Sequence, residues 1–320
     1  MTLIFSDSRF LNHRTGSHPE SPERLRAIER RLKGSQLLQT TTACPTETAD
    51  EADLLAVHGA EYLAELKAHA AAGGGRIEAD TVMSSESADV AWLAAGTAVA
   101  AVRRVLAGED RSAFCMLRPP GHHALSSAAM GFCLLGNAAI AARAAIRRFG
   151  LNRVLVVDWD VHHGNGTQDI FYEDSQVGVF SSHRFPFYPG TGRRSETGRG
   201  DGLGTTFNLP MGFGTSRSEF ISSFAAMLTT AADRIRPELV IISAGFDAHR
   251  EDPVGSLGLE TEDFAALTKL VQDVAATHAD GRIVSLLEGG YNVERLAECV
   301  ELHLQTLAGT TDSITKGQSP

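Results

Sequence analysis

Two runs of the sequence, Val154-Leu-Val-Val and Leu239-Val-Ile-Ile, are apolar and largely β-branched at every position rather than at alternate ones. A strand built from either is apolar on both faces, so both faces must be covered, which is the condition of a central strand in a parallel sheet packed between helices. Strands are expected at Leu3 to Phe5, Ala113 to Leu117, Arg153 to Val157, Val177 to Ser181, Leu239 to Ser243 and Arg282 to Leu286. Between them helical spacing predicts helices at Pro22 to Leu32, Asp53 to Ala70, Ala88 to Leu106, Gly136 to Phe149, Arg217 to Arg236, Glu262 to His278 and Val293 to Leu307. Ser21 is the expected N-cap of the first, with Pro22 at its first helical position. The alternation gives the α/β class: a single-domain open parallel β-sheet flanked by helices on both faces. No repeat and no Pro-, Gly- or Ser-rich linker divides the chain, so residues 1–309 read as one domain and the polar stretch 310–320 as a disordered tail. The glycine-dense stretch from Pro186 to Gly214 is too long for an ordinary connection and reads as a functional loop.

Composition narrows the function. A formal net charge of -10 argues against a surface that neutralises phosphates, so neither nucleic acid nor an anionic membrane is an expected partner. Cys44, Cys115, Cys133 and Cys299 lie far apart with no CxxC pair, and the chain opens on Met1-Thr-Leu-Ile-Phe-Ser rather than on a signal peptide. Reduced thiols and a cytoplasmic protein are the expectation. No apolar run approaches the roughly 20 residues of a membrane-spanning helix.

The strongest chemical signal follows the first of the two apolar runs, in Asp158-Trp-Asp160-Val-His162-His-Gly-Asn-Gly. Extended geometry puts Asp158, Asp160 and His162 on one face at the carboxyl end of a strand, where parallel sheets place their ligands. Carboxylates brought together away from water repel one another, so they need a cation or a proton. The second run leads into Ala244-Gly-Phe-Asp247, which sets another carboxylate at the same edge. Asp160, His162 and Asp247 would then form a three-ligand metal site with a position left open for water. Isolated strand-end acids are more often caps or surface ion pairs; the constellation favours the metal.

Two further segments follow strands. In Arg118-Pro-Pro-Gly-His122-His123-Ala a turn lets both imidazoles enter one cleft and exchange protons near neutral pH. In Glu288-Gly-Gly-Tyr291-Asn292 two glycines swing a phenol over the same edge, where it can donate to an oxyanion. His58, His69, His278 and His303 lie in helical stretches and read as core or surface residues, while His13 and His18 are expected at the rim of the cleft. Neither Gly73-Gly-Gly75 nor Gly190-Thr-Gly192 follows a strand, opens a helix and carries the lysine of a phosphate-binding loop.

The four segments RPPGHHA, DWDVHHGNGTQ, SAGFDAHREDP and EGGYN, in this order, resemble the histone deacetylase and acetylpolyamine amidohydrolase superfamily, from HPESPERL to the helix after Tyr291. Asn165 and Glu288 are similar to the class II enzymes and their bacterial histone deacetylase-like amidohydrolase relatives. The resemblance implies an arginase-like open α/β fold and one catalytic zinc ion on Asp160, His162 and Asp247. It implies His123 as the base for the metal-activated water and then the acid for the leaving amine, His122 paired with Asp158, and Tyr291 on the substrate carbonyl. It implies Gly131 and Phe132 of MGFC and Tyr188 of FYPGTG as walls of a narrow apolar channel; Tyr188 departs from the usual phenylalanine. It also implies a structural K⁺ or Na⁺ held by backbone oxygens near Asp158, Asp160, His162 and Ser181.

The expected function is therefore zinc-dependent deacylation, above all deacetylation, of N-acyl-lysine in a protein or peptide. Polyamine-specific relatives place an acidic residue at the rim position that here is Val254, so a small N-acylamine such as an acetylpolyamine is the runner-up. A ureohydrolase with two manganese ions would need two closely spaced acids where Gly245-Phe-Asp247-Ala-His-Arg offers one. A non-catalytic binder on the same fold would be credible had any of these side chains been lost.

Overall fold

The computed structural model of the chain describes residues 1–309; the tail expected at 310–320 lies outside the described residues. The strands are β1 (Thr2–Phe5), β2 (Thr41–Cys44), β3 (Gly74–Arg76), β4 (Val82–Ser84), β5 (Ser112–Cys115), β6 (Val154–Asp158), β7 (Val177–Arg184), β8 (Thr206–Met211), β9 (Leu239–Ala244) and β10 (Ile283–Leu287). The helices are α1 (Glu23–Lys33), α2 (Glu51–Leu55), α3 (Ala60–Ala71), α4 (Ser87–Leu106), α5 (Asn137–Arg147), α6 (Asn165–Phe171), α7 (Arg217–Ile235), α8 (Thr261–His278) and α9 (Val293–Leu307). Eight strands form one open sheet in the order β2-β1-β5-β10-β9-β6-β7-β8, every pair parallel, and β3 and β4 form a separate antiparallel hairpin. Helices α1, α7, α8 and α9 pack together on one face, and α4 and α5 on the other. Both faces are therefore covered, as the uninterrupted apolar strands require: every residue of β6 and β9 is buried.

The order matters more for function than the count. β5, β10, β9 and β6 are consecutive neighbours across the middle of the sheet, although they come from residues 112, 283, 239 and 154 onward. Because all four run the same way, the segments that follow them emerge side by side in one crevice, where the strand order reverses.

Three expectations are corrected. The helix expected from Asp53 to Ala70 is two, broken at 56–59, where Gly59 adopts extended φ/ψ and its N–H is held by Ser126 O at 3.0 Å. Helix α1 starts at Glu23 with Pro22 as its N-cap, and Ser21 offers its main-chain carbonyl to Arg24 N (3.1 Å) rather than a side-chain cap. The stretch from Pro186 to Gly214 contains an edge strand, β8, whose Pro210 is tolerated because the outer side of an edge strand needs no donor. The rest of that stretch is pinned by polar contacts: His163 to Thr191 (2.8 Å), His183 to Gly192 O (2.9 Å) and Gln168 to Glu196 (2.8 Å). Helix α6 was missed because Asn165-Gly-Thr-Gln-Asp-Ile-Phe has neither helical propensity nor an apolar stripe.

Gly96, in the middle of α4, is where the segment 47–49 crosses the helix. A β-carbon there would stand 2.2 Å from Ala49 N and 2.4 Å from Glu47 O, both backbone atoms that cannot swing away. Gly96→Ala is expected to destabilise the chain by about 1–3 kcal/mol, although alanine raises intrinsic helix stability by roughly 1 kcal/mol. Urea unfolding followed by circular dichroism checks this; a stabilised variant would mean that the crossing is looser than drawn.

Candidate active site

Strand β6 ends at Asp158, so Asp160 and His162 lie beyond the strand in an irregular segment. One shared strand face is therefore not what gathers them, and the cluster of three expected there divides. Asp158 turns to His122, whose Nδ1–H donates to Asp158 Oδ2 at 2.9 Å. Asp160 and His162 converge instead with Asp247, which follows β9, and one ligating atom from each lies within 4.8 Å of the others, all three residues buried. His162 Nδ1 is 2.9 Å from Asp160 Oδ1 and 3.2 Å from Asp247 Oδ2. The outer oxygens are oriented from behind: Gly289 N donates to Asp160 Oδ2 (2.9 Å) and Val161 N to Asp247 Oδ1 (2.9 Å). Asp247 Oδ2 is buried and has no hydrogen-bond partner.

Glycines make the space. A β-carbon on Gly289 would fall 2.2 Å from Asp247 Oδ2 and 2.5 Å from Asp160 Oδ2, and one on Gly245 2.2 Å from Asp160 Oδ2. Electrostatics say what the cluster lacks. Burial and the neighbouring Asp160 charge push Asp247 up to about 7. Burial opposes charge on His162, yet the Asp160 and Asp247 carboxylates beside it raise it to about 10. A proton on the imidazole thus occupies the place that a divalent cation would take between two carboxylates, and a set of two carboxylates and one imidazole with an unpartnered oxygen fits such an ion.

The two histidines of the turn after β5 stack at 4.0 Å between ring centroids but have opposite characters. Burial disfavours charge on His122, and the Asp160 and Asp158 carboxylates overcome it, holding the ring protonated well above the usual imidazole range. His123 is held well below that range, first by burial and then by positive charge on His122 and His162. Its Nδ1–H donates to Asn165 Oδ1 at 2.6 Å, which leaves Nε2 able to accept a proton. Glu288 fixes the turn, accepting from Gly121 N (2.6 Å) and His122 N (3.2 Å); burial lifts its carboxyl to about 7, and its Oε1 is unpartnered.

A cavity of about 220 Å³ opens above these groups, lined by Asp80, His123, Gly131, Phe132, His162, Phe187, Tyr188, Val254 and Tyr291. All four residues expected to bind substrate are in it. Tyr291 meets Phe132 edge-on at 5.7 Å between ring centroids, and Tyr188 meets His123 edge-on at 5.2 Å. Burial, reinforced by the Asp247 and Asp160 charges, holds the Tyr291 phenol well above its ordinary range, so it remains a donor. Gly131 and Phe132 both have positive φ, 55° and 69°, and a β-carbon on Gly131 would collide with the His123 ring. A larger groove, lined by residues including Lys67 and Trp92, takes in none of these side chains.

Asp80 and Phe187 were missed in the sequence. Asp80 sits in a turn without a motif, and Phe187, stacked on His162 at 5.3 Å and 17°, was hidden in the long glycine-rich stretch. The rim expectation holds for His18, edge-on to Phe132 at 4.5 Å, and fails for His13, which is buried against Ser87 and Glu20. Ser181, expected near a monovalent ion, pairs in register with Asp158. No helix among the described residues is long and apolar enough to cross a membrane.

Comparison with known proteins agrees with this geometry. Residues 18–307 match the histone deacetylase domain. The chain is 40% identical over 303 residues to the histone deacetylase-like amidohydrolase of Pseudomonas aeruginosa, covering 93% of this chain and 78% of that one. It is 41% identical over 303 residues to the human polyamine deacetylase HDAC10, covering 91% of this chain and 44% of the relative. The crystal structure of the HDA15 HD domain superposes with a TM-score of 0.90 at 35% identity, over 96% of this chain and 91% of that one. A match of this extent, on a chain whose four motif segments meet at one sheet edge, places the protein in the histone deacetylase family.

Proposed function

We propose that the protein is a zinc-dependent amide hydrolase that removes an acyl group, acetyl above all, from the side chain of an acyl-lysine in a protein or peptide. The observation that carries this reading is the convergence of three candidate ligands with one neutral imidazole and one protonated phenol at a single cavity, which His162, His123 and Tyr291 line. Asp160, His162 and Asp247 would hold the ion, with the monovalent cation near Asp158 and Ser181 part of the same proposal. When bound, a zinc ion supplies Lewis acidity toward a carbonyl and toward water.

The chain's own groups do the rest. His123 Nε2 takes a proton from the attacking water as its oxygen bonds to the acyl carbon, and returns it to the nitrogen as the C–N bond breaks, releasing amine and carboxylic acid. His122, kept cationic by Asp158 and Asp160, places positive charge near the acyl oxygen as that oxygen gains negative charge. The Tyr291 hydroxyl donates to the same oxygen. Phe132, Tyr188 and Val254 exclude water around an unbranched methylene chain, and Gly131 gives His123 its room.

Asp80 favours a second reading, a small cationic N-acylamine, because it puts a carboxylate on the cavity wall; the named activity of the human relative is of that kind. Apolar Val254 at the rim weighs toward acyl-lysine. Four buried free thiols support an intracellular, reducing location.

Three outcomes are expected. Tyr291→Phe retains the metal, as measured by atomic emission, and loses about 10²–10³ in kcat, the range for removing one oxyanion donor. Asp247→Ala loses the metal itself, and equal metal content in wild type and variant would end the ligand assignment. Turnover of an acetyl-lysine peptide, abolished by chelation and restored by zinc, should exceed that of N8-acetylspermidine; the opposite ranking establishes the second reading.

A further inference from the structure

One carboxylate outside the proposed machinery joins two parts of it. Asp252 is 8% exposed, and both of its oxygens are filled by main-chain donors from two separate segments. Oδ1 accepts from Val254 N and Gly255 N, each at 2.9 Å. Oδ2 accepts from Tyr291 N at 2.7 Å and Asn292 N at 3.2 Å. Val254 and Tyr291 both line the cavity.

The placement of Tyr291 needs such an anchor. Strand β10 ends at Leu287 and helix α9 begins at Val293, so Tyr291 belongs to neither, and it follows Gly289-Gly290, the latter at φ 120°. Paired glycines give the chain more freedom than any other dipeptide. From one side Arg24 holds the carbonyls of Glu288 and Gly290, the latter at 2.7 Å. From the other side the amides of Tyr291 and Asn292 go to Asp252. The same carboxylate grips the rim segment, which folds back on the candidate ligand through Ser256 N to Asp247 O at 2.7 Å. Arg184 extends the tie, donating to Gly255 O at 3.1 Å while lying over the Phe187 ring at 4.2 Å. A side chain accepting four N–H groups from two segments holds both at a fixed separation.

We propose that Asp252 is the positioning residue that sets the Tyr291 phenol relative to the Val254 segment, so that these two sides of the cavity are placed as one unit. This rests on the reading of Tyr291 as the donor to the acyl oxygen. Asp252→Asn tests it, because the amide nitrogen of asparagine cannot accept and one pair of main-chain N–H groups then faces another donor. The expected result is wild-type zinc content, a KM for the acetyl-lysine peptide within about threefold of wild type, and a kcat lower by about 10- to 100-fold, the scale of a misplaced catalytic group. In a Tyr291→Phe background the same change should cost less than about threefold, since the group it positions is gone. An equal loss in both backgrounds, or an unchanged kcat in the single variant, overturns the proposal; full activity of Tyr291→Phe alone would overturn the reading beneath it instead. Should Asp252→Asn not fold, hydrogen exchange of the wild-type peptides spanning 252–256 and 289–293 decides: slow exchange in both is expected, and rapid exchange at Tyr291 and Asn292 rules the anchor out.

Discussion

Four carboxylates, Asp158, Asp160, Asp247 and Glu288, are fully buried around one crevice. Like charges withdrawn from water are among the least favourable arrangements a chain can adopt, so each must be answered by a proton, a cation or a set of oriented dipoles. Asp158 is answered by His122, and Asp160 by His162 together with the Gly289 amide. Glu288 has the amides of Gly121 and His122 on one oxygen, and both Glu288 and Asp247 keep the other oxygen free. Position separates the roles: Asp158 and Glu288 orient the histidine turn, whereas Asp160 and Asp247 converge with His162, where a cation is wanted.

A second buried charge group supports this one from below. Glu20 lies between Arg118 and Arg24, all three with negligible exposure, and Arg118 meets it through two oxygens at 2.5 and 2.8 Å. Burial opposes the Glu20 charge, but Arg118 and His13 overcome that and hold the carboxyl well below its ordinary range. Arg118 also takes the carbonyls of Phe10 and His13, while Arg24 takes those of Glu288 and Gly290 and lies over the Tyr291 ring at 5.2 Å. The N-terminal segment is thereby tied to the turn bearing His122 and His123 and to the segment bearing Tyr291. Breaking such a network leaves an uncompensated buried charge, a cost of about 3–5 kcal/mol, which makes these arginines structural requirements of the site.

The cavity wall combines strain with fit. Phe132 adopts a left-handed conformation that a bulky residue seldom takes, next to a glycine that does so freely, and its N–H is fixed by Thr81 Oγ1 at 3.0 Å. The neighbouring Asp80 and the hydroxyl of Tyr188 give this apolar passage two polar points, and a substrate is read by how its polar groups meet them.

Much of this was legible in the chain. Runs such as Val154-Leu-Val-Val exclude any fold with an exposed sheet face, and their spacing with helical stretches requires parallel order. Strand-end acids and histidines announce a buried charge cluster, because local sequence alone fixes which residues stand at the ends of strands. The pairing of Asp158 with His122 was available from the motif resemblance but not from strand spacing, because the chain leaves extended geometry after Asp158, which no local periodicity encodes. Other facts were beyond the sequence. The anchoring of Tyr291 by Asp252, the burial of His13 and the entry of Asp80 and Phe187 into the cavity depend on contacts between segments 39 to 100 or more residues apart or on turns without regular repeat. Sequence by itself determined which side chains the strands would offer at their carboxyl ends. Only the tertiary structure decided which of them meet, because the sheet sets β5, β10, β9 and β6 side by side against their order in the chain.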